Sequence, residues 1–341
     1  MIRQQLEQRE KSILHPRATL SSESLGRVRP IEECSYRTVF QRDRDRILHS
    51  KAFRRLKHKT QVFMAPSNDH YRTRLTHTLE VSQIARTITR ALGLNEDLTE
   101  AIALGHDLGH TPMGHAGERV LADIMEEGFH HAHQSLRVVD LLENHGAGLN
   151  LTREVRDGIL LHSKGKGKLR QAHLPMTLEG QVVRISDAVA YINHDIDDAL
   201  RAELLHEDDL PRQTLMVLGR THSQRIQRMV EDIIFTTMQS DYAAILMSDE
   251  VNEATEELKT FMYNVVYPHP SIQVEFEKAY KIIKELYEYY QNHINSIEYS
   301  VTDASPQRQV CDYLAGMTDR YLLDQYHKIF LPKPWECRCA R

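Results

Sequence analysis

Residues 106–118 read HDLGHTPMGHAGE, three histidines and two carboxylates set among three glycines and a proline. His106 and Asp107 are adjacent, and His110 follows at i+4 and i+3, so the three crowd one helix end. Thr111-Pro112 should break the helix, because the residue before a proline is driven out of the α region. His115 and Glu118 come next at i, i+3, a spacing at which a carboxylate orients an imidazole. Polar groups packed among small residues need partners. Imidazole and carboxylate together are the donor set of a divalent metal. The stretch reads as a metal site carried on helices.

Upstream, Asn95 is a good N-cap for a helix burying Leu98, Ile102, Gly105 and Leu108. Gly105 and Gly109 cost helix stability but let a neighbouring backbone come close. A further helix over 74–92 ends at Gly93, with Val81, Ile84, Ala85, Ile88 and Leu92 as its apolar stripe. His77 falls on that stripe, four residues before Val81. A lone inward histidine is more often a satisfied core residue than a ligand. Two antiparallel helices joined by a short turn would, however, set it beside His106 and Asp107. Downstream, 182–200 (VVRISDAVAYINHDIDDAL) places Asp187 in an apolar helix, with Tyr191 and Asp195 following at successive turns. A buried carboxylate without a partner costs several kcal/mol, so Asp187 calls for a charge or a metal. Four candidate ligands emerge: His77, His106, Asp107 and Asp187. Two imidazoles and two carboxylates leave room in an octahedral shell for water and a substrate oxygen.

The rest of the chain sets the frame. Further helices are expected over 118–127, 134–143 and 152–162, with His130, His131 and His133 between the first two. Helices over 223–247, 249–267, 270–297 and from Pro306 to about Ile329 look like scaffold. Nothing reads as β-structure, and the class is all-α. Residues 1–36 read as a short helix and an irregular arm. Residues 37–63 carry nine cations against two aspartates, a face that suits an anionic partner. SKGKGKLR, 163–170, reads as a mobile positive flap. The division expected is an N-terminal arm with a basic segment over 1–62, a core over 63–200 and a helical region over 201–341.

At 341 residues and a formal charge of -5, the chain is too long for one compact core. Its twenty histidines make net charge sensitive to pH near neutrality. No apolar run of membrane-spanning length and no secretory leader are evident. The four cysteines form no disulfide or zinc pattern, so a cytoplasmic protein with reduced thiols is expected.

The H…HD…D order is also that of the HD phosphohydrolase superfamily. RTVFQRDRDRILHSKAFRRLKHKTQVF, RTRLTHTLEV, HDLGHTPMGHAGE, RISDAVAYINHDIDDA and DYLAGMTDRYLLDQY together resemble the bacterial deoxyguanosinetriphosphate triphosphohydrolase-like proteins. The matches run in order from residue 37 to 326. The resemblance implies an HD-domain helical bundle with an associated C-terminal helical region, and cleavage of a deoxynucleoside triphosphate to deoxynucleoside and inorganic triphosphate. It implies a divalent ion (Mn, Mg, Fe or Co) at His77, His106, Asp107 and Asp187. His115, held by Glu118, would protonate the leaving oxygen, with His110 and His131 as further active-site histidines. Arg74 would touch phosphate, Gln61 and Asp195 the sugar 3′-hydroxyl, and Tyr191 would lie under the deoxyribose and crowd out a 2′-hydroxyl. His133 stands where relatives often have Glu in an H-x-E-Q-S stretch. The family also implies a homo-oligomer, hexamer or tetramer, and in some members an activating dNTP at an allosteric site. Two other readings stay open: an HD nucleotidase or phosphodiesterase on another phosphate ester, and a nucleotide or single-stranded nucleic-acid binding protein whose metal is structural.

Overall fold

Helices begin and end where the sequence supplies caps. Asn95 Oδ1 accepts from Asp97 N and Leu98 N at 3.1 and 3.2 Å and opens Glu96–Gly105. Gly93, at φ +68°, follows the end of Arg74–Ala91. Thr177 caps the long helix Leu178–Arg201 through Gly180 N. The computed structural model describes residues 1–61, 72–163, 173–297 and 304–333, and among them there are helices and isolated β-bridges but no strand. Of the flap expected over 163–170, residues 164–170 lie outside the described residues. No described helix is long and apolar enough to cross a membrane.

Two apolar cores organise the chain. The larger is built on Val39–Leu48, Arg74–Ala91, Glu96–Gly105, Arg153–Leu161 and Leu178–Arg201, and extends over His222–Gln239 and Asp249–Phe261. Val81, Ile88, Leu98, Ile102, Ile159 and Val189 sit at its centre, fully buried. The smaller core joins His115–Ile124 to Pro270–Asn292, Pro306–Ala315 and Asp319–Phe330. The stretch 106–118 therefore bridges both cores. Asp319 reinforces the bridge, accepting from Thr60 N at 2.8 Å and Met113 N at 2.9 Å. The N-terminal arm is tied on by Arg27, which pairs with the fully buried Asp43. Thr152 donates its N–H and its hydroxyl to the same carboxylate at 2.8 and 2.7 Å.

Several expected helices end early. The helix before the metal stretch stops at Gly105, and His106–Gly109 continue as a turn, so the break precedes Thr111-Pro112. The next helices are His115–Ile124 and His131–Arg137, the latter running into a π-helical turn at Val138–Leu142. The helix from His222 ends at Gln239, and Asp241 and Tyr242 follow in the left-handed region. The last helix is two, Pro306–Ala315 and Asp319–Phe330, because Thr318 caps a new start through Tyr321 N.

The basic stretch also differs from expectation. Seven of its nine cations bond within the protein. Arg44 reaches Glu100 at 3.2 Å, Arg46 the Leu149 carbonyl at 2.7 Å and Lys59 the Ala315 carbonyl at 2.8 Å. Arg37 and Arg44 meet carboxylates and Arg46 and Lys59 meet carbonyls at helix and loop ends that need donors, whereas Lys51, Arg54, Arg55 and Lys57 stay exposed.

Gly109 meets the expectation of close approach. A Cβ there would lie 2.1 Å from Ser135 N. Ser135 Oγ in turn accepts from Gly109 N at 2.9 Å and donates to the His106 carbonyl at 2.7 Å. Gly109→Ala should therefore push the helix carrying His131 away from the His106 turn. Thermal unfolding should report a loss of about 1–3 kcal/mol, the usual cost of overpacking. An unchanged melting temperature would refute this account of the contact.

Candidate metal centre

Three helices deliver the four candidate ligands. His77, 2% exposed, lies one turn into Arg74–Ala91. His106 caps the C-terminus of Glu96–Gly105, and Asp107 follows it. Asp187 comes from Leu178–Arg201. His77 Nε2 and Asp187 Oδ1 are 3.2 Å apart. His106 Nε2 lies 3.6 Å from Asp107 Oδ2 and 3.8 Å from Asp187 Oδ1. His106 Nδ1 meets the Ala103 carbonyl at 2.6 Å, so that nitrogen carries the proton and Nε2 presents its lone pair. That Nε2 is buried and has no hydrogen-bond partner among the described residues. An orphaned imidazole nitrogen facing two carboxylates fits a divalent cation and fits little else.

The electrostatics agree. Burial favours the neutral acid at Asp107 and Asp187, but opposing charges outweigh it at both. Arg74 and the neighbouring imidazoles hold the Asp107 carboxyl well below the usual range. His77, His106 and His162 do the same for Asp187. Both carboxylates are therefore anionic at neutral pH, as a metal ligand must be. Arg74 is 2.6 Å from Asp107 Oδ2 and donates to the Gln61 carbonyl at 3.2 Å. It clamps Asp107, while its Nε is buried without a partner among the described residues.

A second group of imidazoles adjoins the first. Glu118 Oε1 takes His131 Nδ1 at 2.8 Å and His131 N at 2.9 Å. The expected His115–Glu118 pair is looser, at 3.7 Å, and His115 is half-exposed at 53%. His110 Nε2 stands 3.9 Å from the same carboxylate, which thus serves three histidines and is closest to His131. The reason is local: His131 starts a helix whose first N–H groups seek an anion. Burial opposes a charged His131, yet Glu118 outweighs it and raises the imidazole pKa. Burial and the nearby Arg74 guanidinium drive His110 well below its ordinary value.

Tyr191 and Asp195 extend the site along Leu178–Arg201. Tyr267 donates to Asp195 Oδ2 at 2.5 Å and hydrogen-bonds the Tyr191 hydroxyl. Burial raises the Asp195 pKa well above normal. Asp195 Oδ1 and Gln61 Oε1 are buried without partners among the described residues, so each is free to meet a hydroxyl. His133 is exposed and stands at 5.8 Å from His130, ring to ring.

Sequence reading passed over three of these groups. His162 is 1% exposed, with its ring 4.9 Å from that of His106. It lies on the buried face of Val155 and Ile159, three residues beyond the latter, and that spacing was the available signal. His194 meets the His77 ring edge-on, with centroids 5.9 Å apart. Tyr267 follows a π-helical turn at Met262–Val266, which shifts it off the 3.6-residue face.

The chain matches two family descriptions, the HD domain over residues 74–192 and the phosphohydrolase-associated domain over 245–328. A deoxyguanosinetriphosphate triphosphohydrolase-like protein of Caldanaerobacter subterraneus is 54% identical over 98% of this chain and 97% of its own. One from Desulfatibacillum aliphaticivorans is 51% identical over 98% and 99%, and one from Clostridium tetani 46% over 97% and 97%.

Proposed function

From the premise that this chain belongs to the deoxyguanosinetriphosphate triphosphohydrolase-like family of HD-domain phosphohydrolases, we propose that it hydrolyses deoxynucleoside triphosphates, dGTP among them, to deoxynucleoside and inorganic triphosphate. The observation that carries this reading is the order of groups along Leu178–Arg201. Asp187 faces the histidine cluster, and Tyr191 and Asp195 follow at successive turns with Tyr267 between them. Phosphate chemistry and sugar recognition would then share one helix, about 12 Å from Asp187 to Asp195.

His77, His106, Asp107 and Asp187 would hold the ion (Mn, Mg, Fe or Co), whose contribution is Lewis-acid stabilisation of charge at a phosphate oxygen. Arg74 keeps Asp107 ionised and aimed, and it offers a cation beside the phosphates. The scissile bond joins the α-phosphorus to the 5′-oxygen, whose leaving group is a poor one without a proton. His115 is the half-exposed imidazole within reach of Glu118, so it is free to approach substrate and give up that proton. His110 and His131 pack beside it, their rings 5.1 Å apart. Asp195 and Gln61 would accept or donate at the 3′-hydroxyl through their orphaned oxygens.

Metal-loaded protein incubated with each dNTP, alone and in pairs, tests the reading. Free triphosphate is the expected product, and pairing would reveal an activating nucleotide. Phosphate or pyrophosphate instead would establish an ordinary nucleotidase and overturn it. Tyr191 supplies a narrower test. Its hydroxyl is held by Tyr267, so the ring is kept in one position where it could lie beneath the sugar. Wild-type enzyme should prefer dGTP over GTP, and Tyr191→Ala should shrink the ratio of their kcat/KM values by roughly 10–100-fold, the range for one pocket contact. A wild-type protein that cleaves both equally rules the role out.

A further inference from the structure

We propose that the C-terminal helical region sets the position of the proton donor, through Lys59 and Asp319, which brace the turn that leads into His115. This rests on the triphosphohydrolase reading only in taking His115 as that donor. Neither Lys59 nor Asp319 touches the reacting atoms. Both are positioning residues that act through the backbone of residues 110–114.

His115 opens the helix His115–Ile124, so the turn before it decides where the imidazole stands. That turn is an uncommon one. Met113 is buried at φ +60°, and Gly114 follows at φ +58° and ψ −134°. A residue with a side chain rarely adopts the left-handed region, and it stays there only where its surroundings over-determine it. A Cβ at Gly114 would lie 3.1 Å from the Gln61 carbonyl oxygen, so the turn already rests against residue 61. Within the turn, the Thr111 hydroxyl donates to the Gly114 carbonyl at 3.0 Å. One internal hydrogen bond is little to hold a strained path, and the remaining support comes from outside.

Two buried side chains supply it. The Lys59 amine, 3% exposed, donates to the His110 carbonyl at the start of the turn and to the Ala315 carbonyl at 2.8 Å. Asp319 Oδ1 accepts from Met113 N at 2.9 Å, and its Oδ2 from Thr60 N at 2.8 Å. All four hydrogen bonds end on main-chain atoms, so they fix the path of the backbone. Ala315 ends Pro306–Ala315 and Asp319 begins Asp319–Phe330, and both lie within the phosphohydrolase-associated match over 245–328. Burying an amine and a carboxylate is costly unless their bonds are made. Here those bonds tie the C-terminal region to one short turn. The metal ligands are held separately. The Lys59 carbonyl accepts from Arg74 N at 3.1 Å, a main-chain contact that a change of side chain leaves in place.

The test is a double-mutant cycle on the full chain, with kcat, KM, the phosphate product and metal content measured for dGTP cleavage. Lys59→Met and Asp319→Asn should each lower kcat by roughly 10–100-fold, the penalty for a reacting group displaced by about 1 Å. KM and metal content should stay as in the wild type. In a His115→Ala background both changes should have little further effect, because no donor remains to be misplaced. A general loss of structure would instead multiply with the loss from His115→Ala. Asp319→Asn keeps the size of the side chain and one acceptor, so it decides the matter should Lys59→Met fail to fold. Full kcat in either folded variant overturns the proposal, as do losses that multiply with that of His115→Ala, or loss of the metal. Failure of the functional reading looks different. Wild-type protein that releases pyrophosphate, with the coupling to His115 intact, keeps the brace and loses the triphosphohydrolase. A His115→Ala protein that releases triphosphate at a near-normal rate does the reverse.

Discussion

Asp187→Ala should fold normally, bind no metal at the His77–His106 position and show no turnover above background. The side chain points from an apolar helix whose neighbours Val183, Ala190 and Ile192 stay buried without it, so the backbone has no reason to shift. What disappears is one of two carboxylates at the centre and the partner of His77 Nε2 at 3.2 Å. Losing an outer partner of a metal ligand commonly costs roughly 10–100-fold in affinity; losing an anionic ligand itself costs more. Without the ion, the developing charge on the phosphate loses its main source of stabilisation. Asp187→Asn is the companion variant, since it keeps the shape and a hydrogen bond to His77 while removing the charge. Metal content by mass spectrometry, thermal unfolding and dNTP turnover are the measurements. A metal-replete and active Asp187→Ala protein would show that the carboxylate is a bystander.

Legibility in the sequence followed how local each cause was. Asn95 and Gly93 act on their own helix ends, and both perform as expected. His77 and Asp187 were legible because each is polar where the helical period demands an apolar residue, and His106 and Asp107 because they cluster with His110 at one helix end; the structure brings all four together. Glu118 does pair with His115, at 3.7 Å, as spacing along one helix suggests, but its shorter contact comes from His131, thirteen residues on at the start of another helix, which that spacing does not show. Arg46 and Lys59 of the basic stretch looked like surface cations because the carbonyls that accept them, at Leu149 and Ala315, are distant in sequence. Tyr267 was hidden by the one-residue slip of a π-helical turn. His162 obeyed the period, yet a single histidine at a helix end carries no sign of the second imidazole that meets it at 3.2 Å.

His115→Ala separates catalysis from binding, and its expected phenotype is a metal-loaded protein that holds nucleotide and barely turns it over. Departure of the 5′-oxygen needs a proton in the transition state. A donor placed there contributes to kcat and little to ground-state affinity. Removing a general acid typically costs ~10²–10⁴ in rate. His115 has the access this role needs, being 53% exposed beside Tyr191, with ring centroids 6.4 Å apart. Glu118→Ala should be the more complex variant. It releases His115 at 3.7 Å, and it also frees His131 from a 2.8 Å contact and His110 from one at 3.9 Å. Its turnover should fall at least as far as that of His115→Ala, with the ion at His77 and His106 retained. Side by side with His106→Ala, the readouts are kcat, nucleotide affinity and metal stoichiometry. Should His115→Ala lose the metal as fully as His106→Ala does, His115 is a ligand and the proton-donor role is wrong. Near-normal turnover would move the acid to another group. His131 is then next in line, since Glu118 already favours its charged form.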